Sequence, residues 1–412
     1  MRYGLIGEKL GHSYSKVIHE ALGEYDYDLC EVKKEDIDAF FERADFSGVN
    51  VTIPYKKTVI PHLYYIDEAA RLIGAVNTVV NREGKLYGYN TDFSGLVGLI
   101  ERLGLDFRGK SVAILGTGGT SHTAKAVAES LGAGEIIIVS RRTGEGVIDY
   151  AELYERYTDV DIIINTTPVG MYPDCYSTPV DISHFTRLSG VIDAIYNPLR
   201  TRLVSEAKAL GITAEGGLYM LVLQAVRAAE IFLGKRLDWK IADRIFNELS
   251  CEKENIVLVG MPSSGKSTVG RILSERLGRE LFDTDELIVK NVGRAIPEIF
   301  KNEGEAKFRD YECEAVKEAA AIGGRVIATG GGAVLRDENV KALSMTGRIF
   351  FIDRPKEKLM PTSDRPLSQD RAAIEKRYRE RYPRYCKVAD SHIDGDGTPD
   401  EVAERILKEF YK

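Results

Sequence analysis

The sequence has no cysteine pair of the C-x-x-C type. Its five cysteines, Cys30, Cys175, Cys251, Cys313 and Cys386, are scattered along 412 residues. This odd, dispersed set argues against a disulfide scaffold and for reduced thiols in a reducing compartment. No apolar run approaches about 18 residues, so no transmembrane helix is predicted. The opening stretch, MRYGLIGEKLGHS, has no signal-peptide core, which gives the expectation of a cytoplasmic protein away from membranes. Basic charge is not in excess. The formal net charge of −7 argues against a general nucleic-acid binder but leaves small anionic substrates open, because local basic sites can hold them. Internal repeats and low-complexity tracts are also missing.

What is present is ordinary globular material, 44% hydrophobic and 29% charged, in a chain long enough for two or three domains. Two glycine-rich loops stand out, and they are of different kinds. The first, GTGGTSHTA (Gly116 to Ala124), follows SVAIL. The second, GMPSSGKST (Gly260 to Thr268), follows NIVLV. Each succeeds a short apolar run that reads as a buried parallel strand, and each leads into helix-like sequence. The first resembles a dinucleotide loop. The second is a nucleoside-triphosphate loop with Lys266 and Ser267 in place. One chain thus combines the signatures of a redox cofactor site and a phosphoryl-donor site.

Strands are expected at 2–6, 48–53 and 75–80, then at 111–115, 135–140, 161–166 and 190–195, with helices between them. Helices are expected at 120–131, 217–234 and 238–249. This alternation predicts parallel sheets of an α/β fold. The polar stretch NELSCEKEN (247–255) reads as a linker, which places a domain boundary near residue 250. The second unit alternates again: helix 266–277, strand-like ELFD, helices to about 322, strands RVIAT and RIFFID, and a C-terminal helix.

In the first unit, GHSYS (11–15) sets two serines two apart beside His12. NVTIPYK (50–56) places Asn50, Thr52 and Lys56 around a strand end that Pro54 stops. GAVNT (74–78) and GYNTD (88–92) add Asn77, Asn90, Thr91 and Asp92. A hydroxyl- and amide-rich lining around one lysine and one aspartate suits a polyhydroxylated small molecule. It also suits carbonyl reduction: hydride arriving at carbon builds negative charge on oxygen, and an ammonium stabilises or protonates that oxygen. Asp92 would orient the lysine. In the glycine loop, Gly116, Thr117, Gly118 and Gly119 are the expected cofactor contacts. After the second Rossmann strand come Ser140, Arg141 and Arg142. A NAD site usually has an acidic residue there for the ribose 2′-OH; two arginines favour a 2′-phosphate, so NADP is predicted.

Together these motifs, with DAIYNPLRT (193–201) and GGLYMLVLQA (216–225), resemble the shikimate dehydrogenase family over nearly all of residues 1–250. The resemblance implies that Ser13, Ser15, Asn77, Asp92 and Gln224 hold the substrate, with Thr52 assisting. It makes Lys56 the catalytic residue paired with Asp92, and puts Tyr196 and Gly217 near substrate and nicotinamide. It implies a substrate lobe of about 1–95 and 216–250 and a Rossmann lobe of about 96–215. The sequence departs from the family pattern at Lys16, at Ser140–Thr143 and at Ser121, which replaces the third Rossmann glycine.

In the second unit, backbone N–H groups of Gly260, Ser263, Ser264, Gly265 and Thr268 are expected to cradle phosphates, with Lys266 reaching the transferring end and Ser267 ligating Mg²⁺. LFDTDELI (281–288) sets Asp283 and Asp285 two apart at a strand end, one for the metal shell and one for a substrate hydroxyl. GEAKFRDYE (304–312) supplies Arg309 and Glu312, the latter read as a salt-bridge partner for Arg309. TGGG (329–332) allows close backbone approach to a ligand. This set resembles shikimate kinase over residues 254–412. The resemblance implies that Asp285, Arg309, Gly331, Gly332 and Arg381 bind shikimate, the arginines pairing with its carboxylate. It also implies that Asp283 helps hold Mg²⁺ through water, and that Arg365 lies in a lid over the phosphates.

The two resemblances name consecutive steps: reduction of 3-dehydroshikimate with NADPH, then phosphorylation of shikimate from MgATP. The expected molecule is a two-lobed dehydrogenase, an α/β substrate lobe plus a Rossmann NADP lobe, followed by a P-loop α/β kinase domain of residues 251–412. Its partners would be small molecules and not nucleic acid. The alternative is a NAD-using quinate/shikimate dehydrogenase with a C-terminal nucleotide-binding regulatory module.

Overall fold

Short runs of Val, Ile and Leu closed by glycine or asparagine build three sheets in the computed structural model, which describes residues 2–11, 14–360 and 371–412. The chain divides into two units. Unit 1 is Met1–Met171, Ser177–Tyr196 and Leu203–Glu248; unit 2 is Tyr172–Tyr176, Asn197–Arg202 and Leu249–Lys412.

The first sheet of unit 1 contains β1 (Tyr3–Gly7), β2 (Asp28–Glu31), β3 (Gly48–Val51), β4 (Tyr65–Ile66), β5 (Thr78–Arg82) and β6 (Lys85–Tyr89), in the order β2-β1-β3-β5-β6-β4. It is mixed: β1 pairs parallel with β2 and β3, whereas β5 runs antiparallel to β3 and β6. Helices α1 (Tyr14–Ala21), α2 (Ile37–Arg43), α3 (Glu68–Ile73) and α4 (Thr91–Leu103) accompany it. The strand expected at 75–80 starts three residues later. Ala75–Asn77 leave the ladder because Val76 N–H donates to Lys56 O and Asn77 N–H to Tyr89 O. The β5–β6 hairpin turns at Glu83 and Gly84, with φ 54° and 81°. This pair of left-handed residues matches the twist of the flanking strands.

The second sheet contains β7 (Ser111–Leu115), β8 (Glu135–Val139), β9 (Val147–Ile148), β10 (Ile162–Asn165), β11 (Gly190–Asp193) and β12 (Thr213–Glu215). All its pairs are parallel, in the order β12-β11-β10-β7-β8-β9. Counted from β7 this is the 3-2-1-4-5-6 order of a doubly wound dinucleotide fold, with its switch point between β7 and β10. Helices α5 (Gly119–Ser130), α6 (Tyr150–Arg156) and α7 (Arg202–Ala209) connect its strands. Helix α8 (Leu218–Leu233) returns to the first sheet, where Ala228 and Phe232 pack with Tyr3, Leu5 and Tyr27. Gly95 and Gly98 let α4 approach α8: a Cβ on Gly95 would lie 2.6 Å from Met220 O.

The expected polar linker is instead the end of helix α9 (Lys240–Lys253). Ala242, Ile245 and Leu249 are buried at three- and four-residue spacing, so one apolar face carries the helix through the polar residues.

Unit 2 has five parallel strands, β13 (Asn255–Val259), β14 (Leu281–Asp283), β15 (Val326–Ala328), β16 (Gly347–Asp353) and β17 (Ser391–Asp394), in the order β14-β15-β13-β16-β17. Its helices are α10 (Lys266–Leu277), α11 (Thr284–Val292), α12 (Ile296–Ala320), α13 (Asp337–Thr346), α14 (Arg371–Val388) and α15 (Pro399–Phe410). Glu254, whose side chain is almost fully buried, ion-pairs with Arg200 and with Arg348, the latter at 2.7 Å. Among the described residues no helix is long and apolar enough to cross a membrane.

Candidate active sites

In unit 1, the end of β3 and the start of α4 bring one cation and one anion together. Lys56 Nζ lies 2.6 Å from Asp92 Oδ2, with both side chains partly exposed. Asp92 sits in the first turn of α4, where the Asn90 side chain accepts from Asp92 N–H at 3.1 Å and caps the helix. Asn90 is itself fixed by donating to Ala75 O at 2.9 Å. The buried amide of Asn77 joins the same start of α4: its Oδ1 accepts from Thr91 N–H at 2.8 Å. The Thr91 hydroxyl lies 3.4 Å from Gln224 Oε1, which links α8 to the group. Lys56, Asn77, Asp92 and Gln224 therefore form one connected set.

The other expected residues are more dispersed. Thr52 follows β3 and donates its N–H to Ile6 O. Ser15 is in the first turn of α1. Tyr196 is partly exposed and meets Tyr14 edge-on at 5.4 Å. Gly217 starts α8 by packing: an added Cβ would lie 2.2 Å from Ala194 O. Ser13 lies outside the described residues, as does Arg365 in unit 2.

At the β7/β10 switch point a cavity of about 420 Å³ is lined in part by Gly116, Thr117, Gly118, Ser140 and Arg141. Gly116 has φ 110°, and a Cβ there would meet Thr166 Oγ1 at 2.8 Å, so this turn admits only glycine. Gly118 and Gly119 have open space where a side chain would be. Ser121 replaces the third glycine by donating its hydroxyl to Gly118 O at 2.6 Å. Arg141 is exposed on the cavity wall, while Arg142 N–H turns back to Ser140 Oγ at 3.3 Å. Sequence reasoning missed Tyr150, Thr167 and Thr178 on the same wall. They come from two connections, Tyr150 from the one after β9 and Thr167 and Thr178 from the one after β10, and only the sheet order brings them together.

In unit 2 the loop after β13 folds around Lys266. Its buried Nζ donates to Gly260 O at 3.0 Å and Met261 O at 2.9 Å. Gly260 and Gly265 have φ 149° and 93°, and a Cβ on Gly260 would lie 2.8 Å from Ile352 O. Ser263 holds φ 65° despite its side chain, and its hydroxyl donates to Met360 O at 2.8 Å. Ser264 is buried, and Thr268 is exposed in the first turn of α10. Ser267 Oγ donates to Asp283 Oδ2 at 2.5 Å. Asp283 Oδ1 caps α11 by accepting from Asp285 N–H at 2.9 Å.

Asp285 points to the glycine run after β15. A Cβ on Gly330 would lie 2.6 Å from Asp285 Oδ1 and 3.0 Å from Glu312 Oε1. Gly304, with φ 81°, breaks α12 ahead of the segment that carries Arg309 and Glu312. Arg309 bonds Glu312 at 2.7 Å and Glu305 at 2.9 Å. Burial works against the Arg309 charge, but the two carboxylates outweigh it and raise its pKa. Burial also raises the Glu312 carboxyl above its ordinary range, against the pull of Arg309. Gly332 has no room for a side chain: a Cβ would sit 2.0 Å from Arg309 Nη1. Arg381 donates to Gly331 O at 3.0 Å, and the buried Tyr385 hydroxyl donates to the same carbonyl. Tyr385 was not expected; it lies one turn beyond Arg381 on α14, a spacing that could have found it.

A shikimate dehydrogenase of Clostridium perfringens is 38% identical over 267 residues, covering 60% of this chain and 98% of its own length. The chain belongs to the shikimate dehydrogenase family. The family of shikimate dehydrogenase substrate-binding domains matches residues 5–79, and the shikimate kinase family matches residues 262–411. Among solved structures, shikimate dehydrogenase 1 of Peptoclostridium difficile is 39% identical with a TM-score of 0.54, covering 60% of this chain and 98% of that one. A chorismate mutase/shikimate 5-dehydrogenase fusion protein of Clostridium acetobutylicum is 39% identical with a TM-score of 0.57, covering 60% of this chain and 96% of that one. This chain is thus a bifunctional enzyme, a dehydrogenase continued by a shikimate kinase domain.

Proposed function

We propose that unit 1 reduces 3-dehydroshikimate to shikimate with NADPH, and that unit 2 phosphorylates the shikimate 3-hydroxyl from MgATP. The observation that carries the first half is the 2.6 Å Lys56–Asp92 pair beside the Asn77 amide. NADPH, when bound, supplies a hydride. Lys56 then meets the charge that develops on the carbonyl oxygen and gives it a proton, while Asp92 holds the ammonium in place. Gly116–Gly119 would receive the pyrophosphate, and Arg141, the one of the two arginines on the cavity wall, the 2′-phosphate.

For the second half, Lys266 is already positioned by the loop carbonyls, and Gly265 opens α10, whose N-terminus would favour an anion. The residues present fit a hard divalent cation: a hydroxyl and a carboxylate, Ser267 and Asp283, meet at 2.5 Å. Among the described residues there is no cluster of three or more His, Cys, Asp or Glu that could hold a metal alone. That suits Mg²⁺, which takes most of its ligands from phosphates and water. The cation would neutralise phosphate charge. Asp285 would orient the attacking hydroxyl, and Arg309 and Arg381 would pair with the shikimate carboxylate. The domain limits read from the sequence, 1–250 and 251–412, belong to this proposal.

The purified chain should reduce NADP⁺ only when shikimate is added and consume ATP only when shikimate and Mg²⁺ are added. NADP⁺ reduction without shikimate-dependent ATP consumption would remove the kinase half and favour a regulatory nucleotide module.

A further inference from the structure

Asn77 is held at the end of a chain of buried hydrogen bonds. At its far end the buried Tyr27 hydroxyl donates to Asn50 Oδ1 at 2.6 Å. Its carboxamide oxygen thus occupied, Asn50 turns its Nδ2 to Thr78 Oγ1 at 3.0 Å, and Thr78 accepts. Asn50 and Thr78 face each other directly across the antiparallel β3–β5 pair. The Thr78 hydroxyl has one proton and donates to Asn77 Oδ1 at 3.0 Å, its shorter contact; Thr91 Oγ1 lies 3.3 Å from Thr78 Oγ1 and 3.2 Å from the same Asn77 oxygen. Thr91 N–H addresses the same oxygen at 2.8 Å. Asn50, Asn77, Thr78 and Thr91 are each at most 6% exposed, so water does not compete for these bonds. Among the described residues no acceptor meets Asn77 Nδ2, which is the end of the amide left for a ligand.

We infer that Thr78, set by Asn50 and Tyr27, is a positioning residue: it holds the Asn77 amide oxygen inward so that the amide NH₂ donates to an oxygen of the bound substrate. The inference rests on the proposed role of Asn77 in binding shikimate. A reversed Asn77 amide would face the Thr91 N–H with a donor and offer the ligand an acceptor, and a carboxylate or ketone oxygen cannot answer that. Thr78 does not touch the ligand in this scheme. Its contribution appears in affinity, and only while Asn77 is present.

The test measures kcat and KM for shikimate, with NADP⁺, on the full chain carrying Thr78→Val, Thr78→Ser, Asn77→Ala, or Thr78→Val with Asn77→Ala. The thermal unfolding transition of each variant, compared with the wild type, serves as the folding check. Thr78→Val keeps the shape and removes the proton. It should raise the shikimate KM about tenfold, the scale of one net hydrogen bond, with kcat and the NADP⁺ KM within about twofold. Thr78→Ser should restore the wild-type KM within about twofold, and Thr78→Val should add nothing once Asn77 is alanine. An unchanged KM in Thr78→Val, equal defects in the Val and Ser variants, or an undiminished effect on the Asn77→Ala background would each overturn the inference. If Thr78→Val does not fold, Tyr27→Phe decides: it removes only the far donor and should raise KM about threefold, and an unchanged KM rejects the relay. A wild-type chain inactive on shikimate would overturn the functional reading and this inference with it. Wild-type turnover with a defect in Asn77→Ala but none in Thr78→Val would overturn the inference alone.

Discussion

The two lysines around which the sites are built are held in opposite ways. Lys56 is partly open to solvent and answers to a single carboxylate, Asp92, at 2.6 Å. Lys266 is 5% exposed and donates to two carbonyls of its own loop. The difference follows the chemistry each site is proposed to perform. A lysine that gives up a proton needs a neighbour able to orient it and stabilise its charged form. A lysine that only offers charge to phosphates needs a cage that fixes its position, and neutral carbonyls provide one. Replacing the lysines one at a time is the strongest way to break the comparison. Lys56→Ala should lower dehydrogenase turnover about 1,000-fold and leave shikimate-dependent ATP consumption intact, the scale of general-acid catalysis. Lys266→Ala should do the reverse, by a similar factor for a lost phosphate contact. Loss of both activities in either variant would mean that the sites are not independent.

These two lysines were legible because each lies in a short stretch whose spacing carries its chemistry. NVTIPYK puts Lys56 just beyond a strand that Pro54 ends, and GKST puts Lys266 at a helix start. The α/β architecture was equally legible from the alternation of apolar runs, and of the paired arginines Arg141 lies on the wall of the cavity at the β7/β10 switch point. What stayed hidden depends on long-range pairing. Thr178 reaches the cavity because β10 is a neighbour of β7, and Tyr150 because β8 and β9 are laid on the other side of β7. Asn50 looked like one more lining residue; its place opposite Thr78 is a register fact that no local pattern contains. The polar stretch at 247–255 reads as a linker because its charges hide the buried helical face of Ala242, Ile245 and Leu249 that runs into it. TGGG signals close backbone approach, and the neighbour that needs Gly332 to lack a side chain is the Arg309 guanidinium, a contact from a distant helix.

A second way to sharpen the comparison uses a titratable group that unit 1 keeps uncharged. His19 is fully buried, stacked on Tyr27 with ring centroids 4.0 Å apart, and its Nδ1 meets the Tyr25 hydroxyl at 2.7 Å. Burial lowers its pKa from 6.5 to about 3, more than its contact with Asn50 raises it. As pH falls the unfolded chain therefore takes up the proton first. The stabilisation is fully present above pH 6.5 and is lost steadily below it. At pH 5 the loss is about 2 kcal/mol, from roughly 1.5 pH units at about 1.4 kcal/mol each. The thermal transition that ends dehydrogenase activity should fall between pH 7 and 5 in the wild type. In His19→Phe, which keeps the stacked ring and cannot titrate, that part of the fall should disappear. Equal pH dependence in the two proteins would show that His19 is protonated in the fold.

The smallest expected effect belongs to a charge that solvent still reaches. Arg141 stands exposed on the cavity wall, and Arg142 beside it is not part of that wall. If Arg141 receives the 2′-phosphate, Arg141→Ser should raise the KM for NADP⁺ about tenfold, equivalent to about 1.4 kcal/mol, and leave the KM for NAD⁺ unchanged. Arg142→Ser should move either value by no more than about threefold. The factor stays modest because an exposed ion pair is screened by water and salt, and the defect in Arg141→Ser should therefore shrink as ionic strength rises. The measurement is the ratio of kcat/KM for NADP⁺ to that for NAD⁺ in the three proteins at low and high salt. A ratio unmoved by Arg141→Ser would remove the arginine from cofactor choice. A larger fall in Arg142→Ser would place the phosphate on the other side of the Ser140 turn.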